Sequence, residues 1–200
     1  AGDCVPVFRK LKLTGNTEIP RQLSMLDDGA LRAWTKSEAW SLRNGVLHGA
    51  AQASPAGQVQ PNHVSYLRPL LDGESIEYEF QHEADKLTAH PALGRTVFLI
   101  EPQGVRLRWM TDGKRDWTGL PEDNAVVEPL NRRGPRPLPL LEGQWNRVRL
   151  TLEQDRLTLS LNDTPIYERK MEPENDRTFR FHCDPSGTEA RIRNVRLSGP

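Results

Sequence analysis

The sequence predicts an antiparallel β-sandwich built as a single domain. Three observations lead there. Hydropathy alternates with a period of two in run after run, reversals rich in Gly, Asn and Asp separate the runs, and 16 prolines and 15 glycines are scattered through 200 residues. Period-two alternation marks strands with one dry and one wet face. So many helix breakers among short strands leave little room for helices.

The elements follow in chain order. Trp40-Ser41-Leu42 and Val46-Leu47-His48 flank Asn44-Gly45, a strong hairpin signal because the favoured two-residue turn needs positive φ at both central positions. Ser37-Glu38-Ala39 or 82–87 could form one helical turn. Asp72-Gly73 marks a reversal before Ile76-Glu77-Tyr78-Glu79-Phe80, and Val105-Arg106-Leu107-Arg108-Trp109 ends near another, Asp112-Gly113. The segment 121–141 holds Pro121, Pro129, Pro135, Pro137 and Pro139. It is expected as a surface excursion within the domain, because the strands beyond it could not cover a core alone. Val148, Leu150 and Leu152 alternate with polar residues, as do Leu157, Leu159 and Leu161, so the two runs form a hairpin across Glu153-Gln154-Asp155-Arg156. Asn162-Asp163 marks the next reversal, and Thr178–Cys183 alternates again. In the last run Ala190 and Ile192 share one phase and Val195 and Leu197 the other, a slip at Arg193-Asn194 that predicts a β-bulge.

Composition narrows the partners. Formal net charge is zero, with 27 basic and 27 acidic residues, so no global field favours nucleic acid or an acidic membrane. The longest apolar run, Val97-Phe98-Leu99-Ile100, is far short of the roughly 20 residues a transmembrane helix needs. The two cysteines, Cys4 and Cys183, are a disulfide candidate. Joined, they would close nearly the whole chain, a loop for which chain entropy gives about 5 kcal/mol. Such a bond belongs to an oxidising compartment; the alternative is two thiols, with Cys183 a small apolar residue on an inner face.

Three segments resemble a known group of folds. Trp40-Ser41-Leu42-Arg43-Asn44-Gly45-Val46-Leu47-His48-Gly49 looks like the early hairpin of the concanavalin A-like lectin/glucanase superfamily. Gly143–Leu150 followed by Leu157–Asn162 resembles its laminin-G-type hairpin, and Ala190–Leu197 its final strand. The chain is most similar to the uncharacterised bacterial family known as domain of unknown function 1583, akin to the 3-keto-disaccharide hydrolase-like family. The resemblance implies a jelly roll spanning 25–200, with 1–24 an N-terminal extension or first edge strand. It also implies a module appended to larger secreted or periplasmic proteins, hence an extracytoplasmic location and other domains of the parent protein as partners. This sequence lacks the Glu-x-Asp-x-x-Glu strand of the glucanase branch. Arg95–Ile100 stands where the hydrolase branch carries an Asn-Ser-Gly-Ile-type strand.

Four groups of residues carry candidate chemistry. Glu77 and Glu79, two apart on a strand, point from one face and could form a glycosidase acid pair. The alternative is a solvated face where they meet Arg106 or Arg108 on neighbouring strands. Trp117 lies in the polar stretch Asp112-Gly113-Lys114-Arg115-Asp116-Trp117. A large ring there either pins its loop or stacks on a sugar, with Asp112, Arg115 and Asp116 orienting the ligand. Of the other tryptophans, Trp109 is expected in the core, Trp145 half exposed, and Trp34 and Trp40 against a sheet edge. Arg106, Arg108, Arg147, Arg149, Arg191 and Arg193 decorate strand faces, forming either a basic stripe for an anionic polysaccharide or ion pairs with the equal number of acids. Asp27, Asp28 and Asp184 offer oxygen ligands for a structural calcium, which jelly rolls of this superfamily often hold; they also read as ordinary turns. The five histidines show no metal-type spacing. No other cofactor is expected. The sequence thus favours a non-catalytic carbohydrate-recognition or architectural module. A glycoside hydrolase-like enzyme and a protein-interaction domain without a small ligand are the alternatives.

Overall fold

The computed structural model describes residues 21–27, 30–35, 39–49, 63–83, 89–111, 119–121, 124–183 and 189–199. They form an antiparallel jelly-roll sandwich of two sheets, as the alternation predicts. The larger sheet contains β1 (Gln22–Ser24), β2 (Trp40–Arg43), β3 (Val46–Gly49), β5 (Ser75–Gln81), β10 (Trp145–Glu153), β11 (Arg156–Leu161), β12 (Thr164–Lys170) and β14 (Ala190–Ser198). Its order is β12-β11-β10-β5-β14-β3-β2, with β1 beside the last residues of β14. The smaller sheet contains β4 (His63–Pro69), β6 (Ala89–Leu93), β7 (Thr96–Glu101), β8 (Gly104–Trp109), β9 (Val126–Val127) and β13 (Thr178–Cys183), in the order β4-β13-β6-β7-β8-β9.

Local chemistry explains the reversals. Asn44 and Gly45 take φ of 50° and 73° in the turn joining β2 to β3, and Asn162 and Asp163 do the same at 47° and 65° between β11 and β12. The β10–β11 hairpin is tighter than the hydropathy pattern implies: Glu153 and Arg156 pair as strand residues, leaving only Gln154 and Asp155 in the turn. The expected bulge is present. Pairing of β14 with β5 shifts between Arg193 and Arg196, and Asn194 adopts φ 53°. The slip lets Ile192 and Val195 both reach the core.

Between the sheets lies a core centred on aromatic rings. Phe181 stacks on Trp34 at 5.6 Å between centroids and meets Tyr78 and Phe179 edge-on, both at 4.9 Å. Such offset and edge-to-face pairs add about 1 kcal/mol each beyond area burial. Trp34, bridged to Tyr66 on the edge strand β4, and Trp40, on the edge strand β2, lie at sheet edges as expected and also join this core, at 6% and 8% exposure. Trp34 donates its indole N–H to the Met25 carbonyl, which ties the entry segment down. Trp40 lies across Gly49, where any Cβ would sit 2.6 Å from its ring. Trp109 is partly buried against the core, and Trp145 is half-buried at the start of β10.

The proline-rich segment crosses from the smaller sheet to the larger and is pinned at its far end. Asn146, fully buried, accepts from the Leu141 N–H at 2.8 Å and from Asn162 Nδ2 at 3.0 Å, and donates to the Leu141 and Gln144 carbonyls. Leu138, within the proline-rich segment, is buried. Cys183 lies buried on the inner side of β13, whereas Cys4 falls outside the described residues, as do 37–38 and 84–87 of the two segments read as helical turns.

Candidate functional site

The two outer faces of the sandwich have different chemistry. On the larger sheet, Glu77 and Glu79 project from β5 between β10 and β14. Glu77 accepts from Arg149 Nε and Nη2 at 3.0 and 2.6 Å. Glu79 accepts from Arg193 Nε at 2.6 Å and from Asn194 Nδ2 at 3.0 Å. The sequence expectation that these acids meet Arg106 or Arg108 is therefore wrong, because β8 lies in the opposite sheet. Which strands become neighbours is set by topology, which hydropathy does not encode.

The same face neutralises most of its cations. Arg147 pairs with Asp163, Arg156 with Glu168, and Arg191 with Glu189 and Gln81. Arg193 also lies 4.1 Å over the ring of Trp145, occupying the surface a sugar would stack upon. Glu77, Arg147, Arg149, Ser160 and Asp163 line a cleft of about 80 Å³, small beside the 300–1,000 Å³ typical of ligand pockets (roughly).

The smaller sheet is different. Its outward positions are His63 and Ser65 on β4, Arg180 and His182 on β13, His90 and Ala92 on β6, Val97, Leu99 and Glu101 on β7, and Arg106 and Arg108 on β8. Cross-strand register puts His63, His182 and His90 side by side. A sandwich needs to bury only its inner faces, yet Ala92, Val97 and Leu99 form a second apolar cluster on this outer side. Ser65, His90 and His182 are likewise at most 6% exposed. Met110 and Ala125 pack against that cluster from the β8–β9 side.

Around this floor stand polar groups with fixed orientations. His90 accepts the Ile100 backbone N–H on Nδ1 at 3.2 Å, which leaves Nε2 as the protonated, donating nitrogen. Burial, reinforced by the Arg180 guanidinium, holds His63 below its ordinary imidazole value. Arg180 bonds Ser65 and Asp176 and also the Gly94 carbonyl. Arg106 makes a two-point contact with Glu101, which raises its own affinity for the proton. Arg108 projects beside Val97 and is half-buried. Arg106 and Arg108 are thus the predicted ligand-binding residues placed on this face. Asp112, Arg115, Asp116 and Trp117 lie outside the described residues, in the connection between β8 and β9. The histidine row escaped sequence reading because positions 63, 90 and 182 are brought together only by sheet topology. Its one local signal is the outward phase of His182 between Phe181 and Cys183.

Of the calcium candidates, Asp27 is exposed and Asp28 and Asp184 are outside the described residues. Among the described residues there is no cluster of three or more His, Cys, Asp or Glu side chains able to hold a metal.

Known structures share this architecture. The chain is similar to the carbohydrate-binding module CBM66 from Bacillus subtilis, with 12% identity, TM-score 0.52, and coverage of 84% of this chain and 96% of that one. It is similar to the potassium-bound carbohydrate recognition domain of Emp46p at 14% identity and TM-score 0.52, covering 89% and 96%. A xylan β-1,4-xylosidase from Bacillus halodurans C-125 aligns at 11% identity and TM-score 0.62, over 95% of this chain but 41% of the enzyme. At these identities the likeness establishes the concanavalin A-like fold. No curated protein matches the chain in sequence. Residues 56–200 match the family model described as Domain of unknown function (DUF1583_N), and the chain belongs to that family.

Proposed function

We propose that this domain is a non-catalytic carbohydrate-recognition module of a larger exported protein, binding on the outer face of the smaller sheet along β8. One observation carries the reading: His63, Arg106, Arg108 and Arg180 stand partly exposed on the outer face of that sheet, around Ala92, Val97 and Leu99, which are themselves packed under the chain at no more than 5% exposure. Sugar hydroxyls and ring oxygens accept hydrogen bonds from guanidinium and imidazole groups of this kind. Trp117, with Asp112, Arg115 and Asp116, belongs to the connection leaving the same strand. The resemblance to CBM66 and to the Emp46p recognition domain supports a sugar as the ligand class.

The acid pair does not support hydrolysis. A glycosidase needs one carboxyl kept protonated and one ionised, whereas Glu77 and Glu79 are each engaged by an arginine. A glycan-array screen tests the reading, with Trp117→Ala as the control. Binding that weakens in the variant supports it, and no binding by the wild type overturns it. Hydrolysis of a glycoside panel that disappears in Glu77→Gln would restore the enzyme. A structural calcium at Asp27, Asp28 and Asp184 stays part of the proposal, and a melting temperature unchanged by chelator removes it.

Protein interaction is the second reading, favoured by one feature. Val126 and Val127 on the edge strand β9 are 48% and 46% exposed, and Leu130 just beyond is 90% exposed. Unpaired apolar edges are where partner strands add.

A further inference from the structure

We infer that Asn44-Gly45 is a covalent modification site, where the chain converts Asn44 to aspartate and isoaspartate without an enzyme. The inference is independent of the carbohydrate reading, because it concerns the β2–β3 hairpin of the larger sheet.

Two observations single out Asn44. Of all the asparagines in the sequence, it alone is followed by glycine. Every other described asparagine has its carboxamide held. Asn124 and Asn175 bond backbone groups, Asn131 donates to Glu128, and Asn194 donates to Glu79. Asn146 and Asn162 bond each other and the proline-rich crossing. Asn44 is exposed, and among the described residues its carboxamide makes no hydrogen bond. Gly45 is exposed as well, and even a Cβ built there would meet nothing within 4 Å. With no side chain to shield it, the Gly45 nitrogen is open to close approach.

The chemistry balances with water as the only co-reactant. The Gly45 backbone nitrogen gives up its proton and bonds to Asn44 Cγ. The Cγ–Nδ2 bond breaks, and the amide nitrogen takes up a proton and leaves as ammonia. Water then opens the cyclic imide. Cleavage of the new N–Cγ bond gives aspartate, whereas cleavage of the original peptide bond leaves the main chain running through Cγ as isoaspartate. In the closed turn Asn44 and Gly45 are held at φ 50° and 73°, so attack requires the hairpin to open. Opening breaks one ladder only, because β2 ends its sheet and pairs with β3 among the described strands. Aspartate tolerates positive φ, so that product keeps the turn. Isoaspartate adds a methylene to the main chain and spoils the register from Arg43↔Val46 to Trp40↔Gly49. Trp40, packed across Gly49, then loses its place in the core.

The test incubates the whole folded chain in mildly alkaline buffer, beside a sample held unfolded in urea until its Asn44 has fully converted. Peptide mass spectrometry follows replacement of the amide by a hydroxyl. Asp-N protease, which cuts before aspartate and not before isoaspartate, separates the products. The folded chain should convert at Asn44, more slowly than the unfolded one, while the other described asparagines stay intact. Gly49→Ala drives a Cβ to 2.6 Å from the Trp40 ring, so it should loosen the hairpin and speed conversion. If that variant does not fold by circular dichroism, the wild type in urea below its unfolding transition serves in its place. Asn44→Asp should melt like fresh protein, and the isoaspartate fraction should melt lower with its tryptophan fluorescence shifted toward that of exposed rings. A folded chain with no conversion when the unfolded sample is complete overturns the modification site, as does equal conversion at the other asparagines. An isoaspartate fraction that melts with Asn44→Asp overturns the claimed effect on β2.

Discussion

Asn146 is the residue whose loss should damage the fold most for its size. Its carboxamide is fully buried and all four of its hydrogen-bonding positions are used, two toward Leu141, one toward Gln144 and one toward Asn162. Through Asn162, which also donates to the Pro139 carbonyl and accepts from the Arg147 N–H, it links the proline-rich crossing to the β10–β11–β12 meander. Asn146→Ala removes all four bonds at once. At about 1 kcal/mol net for each, and with Leu141 near enough to solvent to recover part of the loss, the cost should be about 3 kcal/mol. For a chain of this length that is a fall of roughly 6–12 °C in Tm. Urea unfolding followed by tryptophan fluorescence gives the value directly. Arg147→Ala, next along the strand but exposed, is the reference and should cost under about 1 kcal/mol. Equal effects of the two variants would mean that the network does not hold the crossing in place, and the reasoning would fail.

Three further outcomes follow from named contacts. Glu74 is 1% exposed and accepts from both Arg68 Nη atoms and the Leu71 N–H, so Glu74→Ala should cost about 2 kcal/mol in urea melts by removing these charge-assisted bonds, part of the loss being recovered because Arg68 is 31% exposed and turns to water. His63 titrates below its ordinary 6.5 because burial and Arg180 oppose its charge; the unfolded chain then binds the proton first, so stability should decline as pH falls below about 6.5, and His63→Gln should flatten that decline in melts across the range. If Cys4 and Cys183 are joined, intact mass should rise by two hydrogens on reduction and stability should drop by several kcal/mol, up to about 5; an unchanged mass would remove the pairing and its argument for export.

The strands themselves were legible from sequence because they obey local rules. Asn44-Gly45 fixes its turn by backbone preference alone, and the alternation Ile76-Tyr78-Phe80 fixes which face of β5 is dry. Even the bulge at Arg193-Asn194 shows as a change of phase. What sequence could not supply was the order of strands. Glu77 was expected to meet Arg106, yet its partner Arg149 sits 72 positions away on a strand chosen by the packing of both sheets. Trp34 was placed correctly at a sheet edge, where it bridges Tyr66, but its part in the core was not legible. It lies outside any named strand, with no periodicity to assign it a face, and is drawn into the core by Phe181. The histidine row belongs to the same class, since each of its members is unremarkable alone and acquires meaning only from register.

The most direct measurement of where this domain binds is amide chemical-shift mapping with the glycan selected on the array. Binding along β8 predicts shifts concentrated at Ala92, Val97, Leu99, Arg106 and Arg108, with Ile76, Leu150 and Ile192 unmoved. Shifts centred instead on β5, β10 and β14 would place the ligand among the arginine–glutamate pairs of the larger sheet and contradict the account.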